Sequence, residues 1–256
     1  MTNKNKASKQ TSTKFVDCDN CSMQAVCQPL TTEKQTLDLT SNYLTRRMPV
    51  KPTNGSSVQL NQSSGAMLLA DNQDLSAIYA VCSGVFKLFQ LNEDGSEKVI
   101  GFRFPGELIG EDAIFLEKYN YNAIAIGESS VCEVSFAKLH ACGQLAPELQ
   151  QKLIQLLTKQ SFKQQRNAQA LIGKKSAESL LAAFLLNISE RNAEYSHSET
   201  KIDLTISRNE IANFLGIRRE TLSRILTKLQ KEQLIALDGK NLEILSLEAL
   251  QILANS

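Results

Sequence analysis

Three cysteines stand within ten residues near the start of the chain, in the stretch C-D-N-C-S-M-Q-A-V-C, at Cys18, Cys21 and Cys27. In a reducing compartment such a cluster indicates metal binding or redox chemistry rather than structural disulfides. A zinc site would need a further close pair of ligands or one distant residue, and the only histidines are His140 and His197. One distant thiol would equally complete a four-cysteine iron–sulfur site. The residues alone leave both metals open.

Three further cysteines are candidates for the distant thiol: Cys82, Cys132 and Cys142. Cys132 alternates with Val134 and Phe136 on one apolar face of V-C-E-V-S-F, so a buried core thiol explains it equally well. Cys82, in Y-A-V-C-S-G, has the same alternative, and Cys142 is expected in a loop or short helix. The local pattern does not choose among them.

Composition narrows the class of protein. The chain has 256 residues, of which 42% are hydrophobic and 21% charged, an ordinary globular mixture with room for two domains. It has no apolar run of membrane-spanning length and no signal-peptide core, which predicts a cytoplasmic protein without a membrane partner. The net charge of +1 requires any nucleic-acid affinity to be local. No P-loop, dinucleotide glycine motif or nucleophile elbow is present, so we do not expect an enzyme.

The first half of the chain contains two segments of different composition. Residues 1–16 are polar and carry lysines without an acid, which predicts a disordered tail. Residues 17–146 hold the cysteine-rich segment and then short apolar runs broken by Gly, Asn and Asp, typical of a double-sheet roll of short strands. The clearest unit is V-F-K-L-F-Q-L-N-E-D-G-S-E-K-V-I-G-F-R-F, in which Asp94-Gly95 predicts a tight hairpin turn with positive φ angles.

A helical pattern begins at Pro147, and we assign one long helix to residues 147–175. It joins the β-rich domain to a second domain over residues 176–256. Its stripe at three- and four-residue spacing either lies on its own β domain or forms a parallel dimer seam, and both remain open. The stripe comprises Ile154, Leu157, Ser161, Phe162, Gln165, Ala168 and Ile172.

The strongest local signal lies in S-R-N-E-I-A-N-F-L-G. Ser207 and Glu210 form a capping box, which fixes a helix start. Gly216 ends this helix in the left-handed conformation, and a second helix begins within a few residues. Helix, short turn with glycine and helix predict a helix-turn-helix. A closing hairpin around Asp238-Gly239 follows.

The second helix has an apolar face and a charged face. The apolar face, which we expect to be buried, consists of Leu222, Ile225, Leu226 and Leu229. From Thr205 to Lys231 there are six Lys or Arg and two acids, which favours a footprint on DNA phosphates over a merely solvated surface. We assign base readout to Glu220, Ser223 and Arg224, because these side chains suit base edges. Phosphate contacts or solvent exposure are assigned to Arg208, Arg218, Lys228 and Lys231, while Arg219 and Thr227 complete the face.

The array S-R-N-E-I-A-N-F-L-G-I-R-R-E-T-L-S-R-I-L-T-K-L-Q, after a long helix and a β-rich domain containing F-P-G-E-L-I-G-E, resembles the CRP/FNR family of bacterial transcription regulators, FNR-like (Anr-type) branch. The resemblance implies an α+β fold with an N-terminal double-stranded β-roll (jelly-roll-like) sensor domain, a long dimerisation helix and a C-terminal winged helix-turn-helix. It implies a homodimer that binds a palindromic site in double-stranded DNA and contacts RNA polymerase. Glu220, Ser223 and Arg224 match the E-x-x-S-R pattern, which implies a TTGAT half-site. Arg219 is similar to the R-E-x-x-x-R pattern of the CRP branch and implies an additional guanine contact.

The resemblance also bears on the cofactor. The CRP branch binds the phosphate of a cyclic nucleotide through an Arg-Ser-Ala or Arg-Thr-Ala run, whereas this chain has Y-N-Y-N-A-I-A, so no cyclic nucleotide is expected. Cys18, Cys21 and Cys27 reproduce the FNR spacing of two and then five intervening residues. S-S-V-C-E-V-S-F is similar to the segment that carries the distant ligand, which implies Cys132. The four would bind a [4Fe–4S] cluster that oxygen degrades. Residues 51–76 are longer than their counterpart in relatives and predict a surface loop.

These implications combine in one hypothesis. Ligation ties the N-terminal segment to the β domain and biases the long helix toward dimerisation and DNA binding, and oxygen reverses it. The chain is thus expected to be an oxygen-sensing regulator of anaerobic gene expression. The alternatives are a zinc-stabilised DNA-binding regulator and a thiol-redox-switched one.

Overall fold

The structure, a computed structural model, describes residues 45–50, 67–137, 147–173, 176–196 and 198–256. The predictions for the tail, for Cys18, Cys21, Cys27 and Cys142, and for residues 51–66 of the predicted surface loop lie outside these residues. In the described remainder of that loop the prediction is wrong for Met67–Leu69, which form a strand with Leu69 buried in the core. The described strands are β1 Thr45–Val50, β2 Met67–Leu69, β3 Ala77–Ser83, β4 Phe86–Leu91, β5 Glu97–Arg103, β6 Leu108–Ile109, β7 Asn122–Ala125, β8 Ser129–Ser135, β9 Lys201–Asp203, β10 Ile235–Asp238 and β11 Asn241–Ile244. The described helices are α1 Ala113–Leu116, α2 Pro147–Leu171, α3 Ala177–Ser196, α4 Arg208–Leu215, α5 Arg219–Lys231 and α6 Leu247–Asn255.

Two antiparallel four-stranded sheets form the N-terminal part, in the orders β1-β8-β3-β6 and β2-β7-β4-β5. Their alternating apolar residues meet in a core that includes Val81, Phe86, Leu88, Ile109 and Val131. Burial of such side chains from both sheets is the main force that holds them face to face. The predicted double-sheet roll is confirmed.

The hairpin predicted around Asp94-Gly95 joins β4 to β5, with Leu91 opposite Glu97. Its turn is longer than predicted, because the loop spans residues 92–96 and only Gly95 within it has a positive φ, at 78°. The Asp94 carboxylate accepts hydrogen bonds from the Ser96 backbone N–H at 2.9 Å and from the Ser96 hydroxyl at 2.6 Å. These two hydrogen bonds stabilise the five-residue turn.

A continuous apolar core joins the roll to the helical part. Phe102 of β5 packs edge-on against Phe184 of α3 and Phe214 of α4, with ring centroids 6.3 and 5.4 Å away. Asn213 reinforces this contact, since its side-chain oxygen accepts from the Val99 backbone N–H at 2.8 Å. Packing and hydrogen bonds therefore hold the helix-turn-helix against an edge strand of the roll.

The C-terminal part ends with a helix that the sequence pattern did not predict. The predicted hairpin is present as β10 and β11, with Gly239 at φ 61°, and β9 extends it to three strands. The prediction that this hairpin closes the chain is wrong, because α6 follows, starts at the capping Ser246 and buries Leu250 and Ala254. None of the described helices has the length and apolar character of a membrane span.

Candidate nucleic-acid interface and cysteine site

The helix-turn-helix is built from local signals. The Ser207 hydroxyl accepts from the Glu210 backbone N–H at 3.2 Å, and the Glu210 carboxylate accepts from the Ser207 backbone N–H at 2.9 Å. Gly216 ends α4 at φ 66°, a left-handed conformation that glycine adopts without steric cost. The structure therefore contains the predicted capping box and turn glycine, and α5 begins three residues later.

Helix α5 divides into the two predicted faces. The inner face is buried, at 0 to 6% exposed, and comprises Leu222, Ile225, Leu226 and Leu229. On the outer face Ser223 is half-buried, and the exposed residues are Arg218, Arg219, Glu220, Arg224, Thr227, Lys228 and Lys231. Arg208, at the first residue of α4, is exposed as well. The structure thus brings these nine residues to the start of α4, the turn and the outer side of α5.

The N-terminus of α5 adds a further donor set. Its N-cap, Arg218, makes no side-chain capping bond, so the first backbone N–H groups of the helix are not capped by it. Exposed N–H groups at a helix N-terminus, beside the Arg218 and Arg219 guanidinium groups, suit a phosphate. The outer face can therefore combine phosphate contacts at its start with base contacts from Glu220 and Arg224.

Lys228 has a protein partner that sequence reasoning missed. Its ammonium donates to both carboxylate oxygens of Glu178, at the start of α3, at 2.8 and 2.7 Å. The hydrogen bond to Glu178 raises the pKa of Lys228. The two residues lie 50 positions apart, so only the packing of α3 against α5 reveals the pair. A phosphate contact by Lys228 has to compete with this carboxylate.

Cys132 lies where β8 meets the long helix. It is half-buried on the outer side of its sheet, in an apolar cluster with Ile78, Ala80, Leu108 and Val134. Cys132 and Val134 share this face, as their alternation predicted. The start of α2 packs on the same cluster through Leu153, Leu156 and Leu157. The thiol therefore lies beside the first turns of the long helix.

A second thiol touches the first. The sulfur of Cys82 lies 3.2 Å from the sulfur of Cys132, and the Cys82 thiol also lies 3.7 Å from the Ala80 carbonyl oxygen. Cys82 is buried, as its core alternative predicted. No group of three or more candidate metal ligands occurs among the described residues, which exclude Cys18, Cys21 and Cys27.

The F-P-G-E-L-I-G-E segment links the roll to the helices. Glu107 accepts from the Phe104 backbone N–H at 3.0 Å and forms an ion pair with Arg191 of α3 at 2.6 Å. Glu111 accepts from the Gln164 side chain of α2, and burial raises the pKa of this carboxyl. Both glutamates therefore take part in contacts within the protein that join the roll to α2 and α3.

In the neighbouring Y-N-Y-N stretch, Tyr119, Tyr121 and Asn122 are buried. The Tyr119 hydroxyl donates to the Ala77 carbonyl oxygen at 2.6 Å, and the Tyr121 hydroxyl accepts from the Gly110 backbone N–H at 2.8 Å. Asn122 accepts from the Asp71 backbone N–H at 3.1 Å. These polar groups hold the roll together, and the expectation that the chain binds no cyclic nucleotide stays a prediction.

Helix α2 has an outer face that the described part of the chain does not cover. Ile154, Phe162 and Ile172 are 63, 60 and 72% exposed, and Gln165 and Ala168 are exposed between them. Of the other two stripe residues, Ser161 is exposed and Leu157 is half-buried against the roll. Leu157 thus follows the first alternative for the stripe, and the exposed residues leave the dimer seam open as the second.

Comparisons with known proteins agree with this architecture. The family model described as Crp-like helix-turn-helix domain matches residues 181–253, and that described as cyclic nucleotide-binding domain matches residues 60–144. The transcriptional activator protein Anr of Pseudomonas protegens is 32% identical over 228 residues, which cover 89% of this chain and 88% of that protein. The fumarate and nitrate reduction regulatory protein of Escherichia coli K12 is 33% identical and covers 93% of this chain and 90% of its own length.

The chain belongs to the CRP/FNR family of transcription regulators.

Solved structures show the same fold. FixK2 from Bradyrhizobium japonicum has a TM-score of 0.68 at 20% identity, covering 82% of this chain and 97% of its own. A CRP/FNR family regulator of Thermus thermophilus has a TM-score of 0.58 at 21% identity, covering 82% of this chain and 99% of its own. The predicted family and fold class are confirmed. The family models and the relatives support DNA binding by a regulator, rather than enzymatic activity.

Proposed function

We propose that this CRP/FNR regulator senses oxygen in the cytoplasm and controls anaerobic gene expression. As a dimer it binds a palindromic site and recruits RNA polymerase. The observation that carries the proposal is the position of Cys132, in one apolar cluster with the first turns of α2. The relatives named for transcriptional activation and for regulation of fumarate and nitrate reduction support the same conclusion.

Four thiols form the proposed ligand set: Cys18, Cys21, Cys27 and Cys132. Thiols are the donors that iron–sulfur clusters use, and half-buried Cys132 is open to a ligand from another segment of the chain. These cysteines would hold a [4Fe–4S] cluster through four iron–thiolate bonds, and the cluster would supply an oxygen-sensitive link between the N-terminal segment and β8. The Cys132 thiol fits this cofactor as a sulfur donor. The other three cysteines of the set lie outside the described residues.

The chain's own residues transmit the state of Cys132. A ligand held at this sulfur fixes the outer surface of β8, on which Leu153, Leu156 and Leu157 pack. Their packing sets the position of α2, whose exposed side presents Ile154 and Phe162 to a second copy of the chain. In a dimer, two copies of α5 reach successive major grooves about 34 Å apart. A monomer lacks this bivalence and binds far more weakly.

Recognition within each half-site is assigned to the outer face of α5. Glu220, Ser223 and Arg224 face the bases of a TTGAT-like half-site, and Arg219 provides a further guanine contact. Arg208, Arg218 and Lys228 contact phosphates, with Thr227 beside them. The position of these side chains on the outer face of α5, in the turn and at the start of α4 supports their access to DNA.

The test is metal analysis of anaerobically purified protein with three single variants, Cys82→Ala, Cys132→Ala and Cys142→Ala. We expect about four irons per chain in the wild type, Cys82→Ala and Cys142→Ala proteins, and their loss in Cys132→Ala. Exposure of the wild type to air should abolish visible absorption, dimerisation and DNA binding together. A colourless protein with one zinc per chain, indifferent to air, would establish the zinc alternative instead. Full iron content in Cys132→Ala would disprove the ligand assignment.

A further inference from the structure

The contact between Cys82 and Cys132 is unexplained by the proposed ligand set. Their sulfurs are 3.2 Å apart, which is closer than the van der Waals contact of two sulfur atoms. The S–S bond of a disulfide measures about 2.05 Å. A movement of roughly 1.1 Å would therefore suffice for bonding. Small side-chain rotations can provide it.

The backbone holds the two thiols in this arrangement. Ala80 is the direct cross-strand partner of Cys132, and the register of β3 against β8 shifts between Val81 and Ser83, at Cys82. Cys82 is thus a diagonal neighbour of Cys132 on the same face, brought closer by the irregularity. The next pair along, Ser83 and Ser130, is joined by a hydroxyl–hydroxyl hydrogen bond of 2.8 Å. The β3–β8 pairs on either side of Cys82, Ala80–Cys132 and Ser83–Ser130, therefore hold the two sulfurs close together without a contribution from α2.

The two thiols differ in access. Cys82 is 4% exposed, whereas Cys132 is half-buried. A small oxidant therefore reaches Cys132 first, and Cys82 stands behind it as a resolving thiol. This asymmetry is typical of redox-active cysteine pairs.

We propose that Cys82 and Cys132 form a reversible disulfide in response to hydroperoxides. The Cys132 thiol first takes one oxygen atom from the hydroperoxide, giving a sulfenic acid and releasing water when the oxidant is hydrogen peroxide. The Cys82 thiol then attacks the Cys132 sulfur, the S–S bond forms, and the hydroxyl leaves with the thiol proton as a second water. Both thiols lose one electron each, and the peroxide is reduced by two. A dithiol reductant reverses the step.

The disulfide has a consequence for the iron site. It withdraws Cys132 from the proposed ligand set until a reductant releases it, and it protects the sulfur from irreversible sulfinic acid. This consequence rests on the proposed function, whereas the disulfide itself does not. Cys82 would then make loss of the fourth ligand temporary.

The sequence makes the chemistry measurable by peptide mass spectrometry. Cleavage after Arg47, Lys87, Lys118, Lys138 and Lys152 places Cys82, Cys132 and Cys142 on three different tryptic peptides, and Cys18, Cys21 and Cys27 together on a fourth. Reduced, metal-free full-length protein is treated with increasing hydrogen peroxide, alkylated and digested. We expect the Cys82–Cys132 linked peptide to dominate at low peroxide and to vanish after dithiothreitol. Linkage of Cys132 mainly to the N-terminal peptide, or no linked peptide, would overturn the proposal.

Reconstitution with iron and sulfide then tests the consequence. After peroxide, wild-type protein should take up iron only once dithiothreitol has been added. Cys82→Ala should accumulate sulfinic acid at Cys132 and fail to recover, while Cys142→Ala, which also lacks one cysteine, should behave as the wild type. Full recovery of Cys82→Ala would contradict the protective role. If the linked peptide forms in wild type without any effect on iron uptake, the disulfide stands and the proposed ligand assignment fails.

Discussion

The long helix α2 and the recognition helix α5 distribute their side chains in opposite ways. Helix α5 buries its leucines and turns its charges outward. Helix α2 instead buries Gln160 and exposes Ile154, Phe162 and Ile172. A helix that turns large apolar side chains outward presents a surface suited to a partner. The recognition helix is thus complete within one chain, whereas α2 has an apolar side that a second copy can cover.

The largest contrast is expected in stability. Replacing Leu222 by Ala should lower the free energy of unfolding by about 2–5 kcal/mol, since a side chain with no exposure loses its packing and leaves a cavity. Ile154→Ala, on the exposed side of α2, should change the metal-free monomer by less than about 0.5 kcal/mol. Urea unfolding followed by circular dichroism measures both.

The two variants also test the assignment of faces. Because Leu222 and Ile154 both lie in helices and are replaced by the same residue, helix propensity affects them in the same direction. Equal destabilisation would mean that Ile154 is buried within the single chain, and the contrast between α2 and α5 would be lost.

A contact is easier to predict from sequence when the interacting residues are close together along the chain. The capping box joins Ser207 to Glu210, and the hairpin joins β4 to the next strand, so neighbouring residues determine both. The contact between Cys82 and Cys132 spans 50 positions and depends on the register of two strands that no local pattern specifies. The proposed DNA face could be predicted from sequence because its residues are close together in the chain. The thiol contact could not be predicted because its residues are far apart.

Some local signals were nevertheless overlooked. Ser246 is the N-cap of α6, and its hydroxyl accepts from the Ala249 backbone N–H at 3.3 Å. A serine at this position is a common start signal of a helix, so α6 could have been predicted from the sequence. The stripe of α2 was treated as one face, although Leu157 lies against the roll and Phe162 does not. At 100° per residue, a wide stripe on a helix can touch two partners at once.

After the effect on stability, the next largest effect is expected from the loss of a base contact. Arg224→Ala should weaken binding to the specific site by about 1–3 kcal/mol per half-site, because a guanidinium that pairs with a guanine edge is removed. Lys98→Ala removes an exposed cation of β5 and should leave binding unchanged. Fluorescence anisotropy on the specific site and on one altered at the contacted base separates the effects. An equal loss on both DNAs would assign Arg224 to phosphate contact only.

The exposed side of α2 predicts a smaller effect on assembly. Phe162→Ala should raise the dimer dissociation constant by about tenfold or more, since each chain loses an aromatic side chain from the proposed seam. Lys159→Ala shortens another exposed side chain one turn away, off the apolar stripe, and should have little effect. Sedimentation velocity of cluster-loaded protein without DNA gives both constants. Unchanged dimerisation in Phe162→Ala would place the interface elsewhere.

The smallest effect concerns Lys228, a proposed phosphate contact that is already paired with Glu178. Glu178→Gln removes the carboxylate that holds Lys228, so the ammonium can turn to a DNA phosphate. Affinity should rise a few-fold at low salt, and the slope of log K against log salt should steepen by about 0.9 per half-site for each added phosphate contact.

A double variant distinguishes this release from a general loss of negative charge. Adding Lys228→Ala to Glu178→Gln should abolish the gain, because the cation that would reach the phosphate is absent. If the double variant keeps the gain, Glu178 acts by repelling DNA and Lys228 does not contact it. The recognition helix would then bind DNA through the residues of its first two turns, and the Lys228–Glu178 pair would serve to hold α5 against α3.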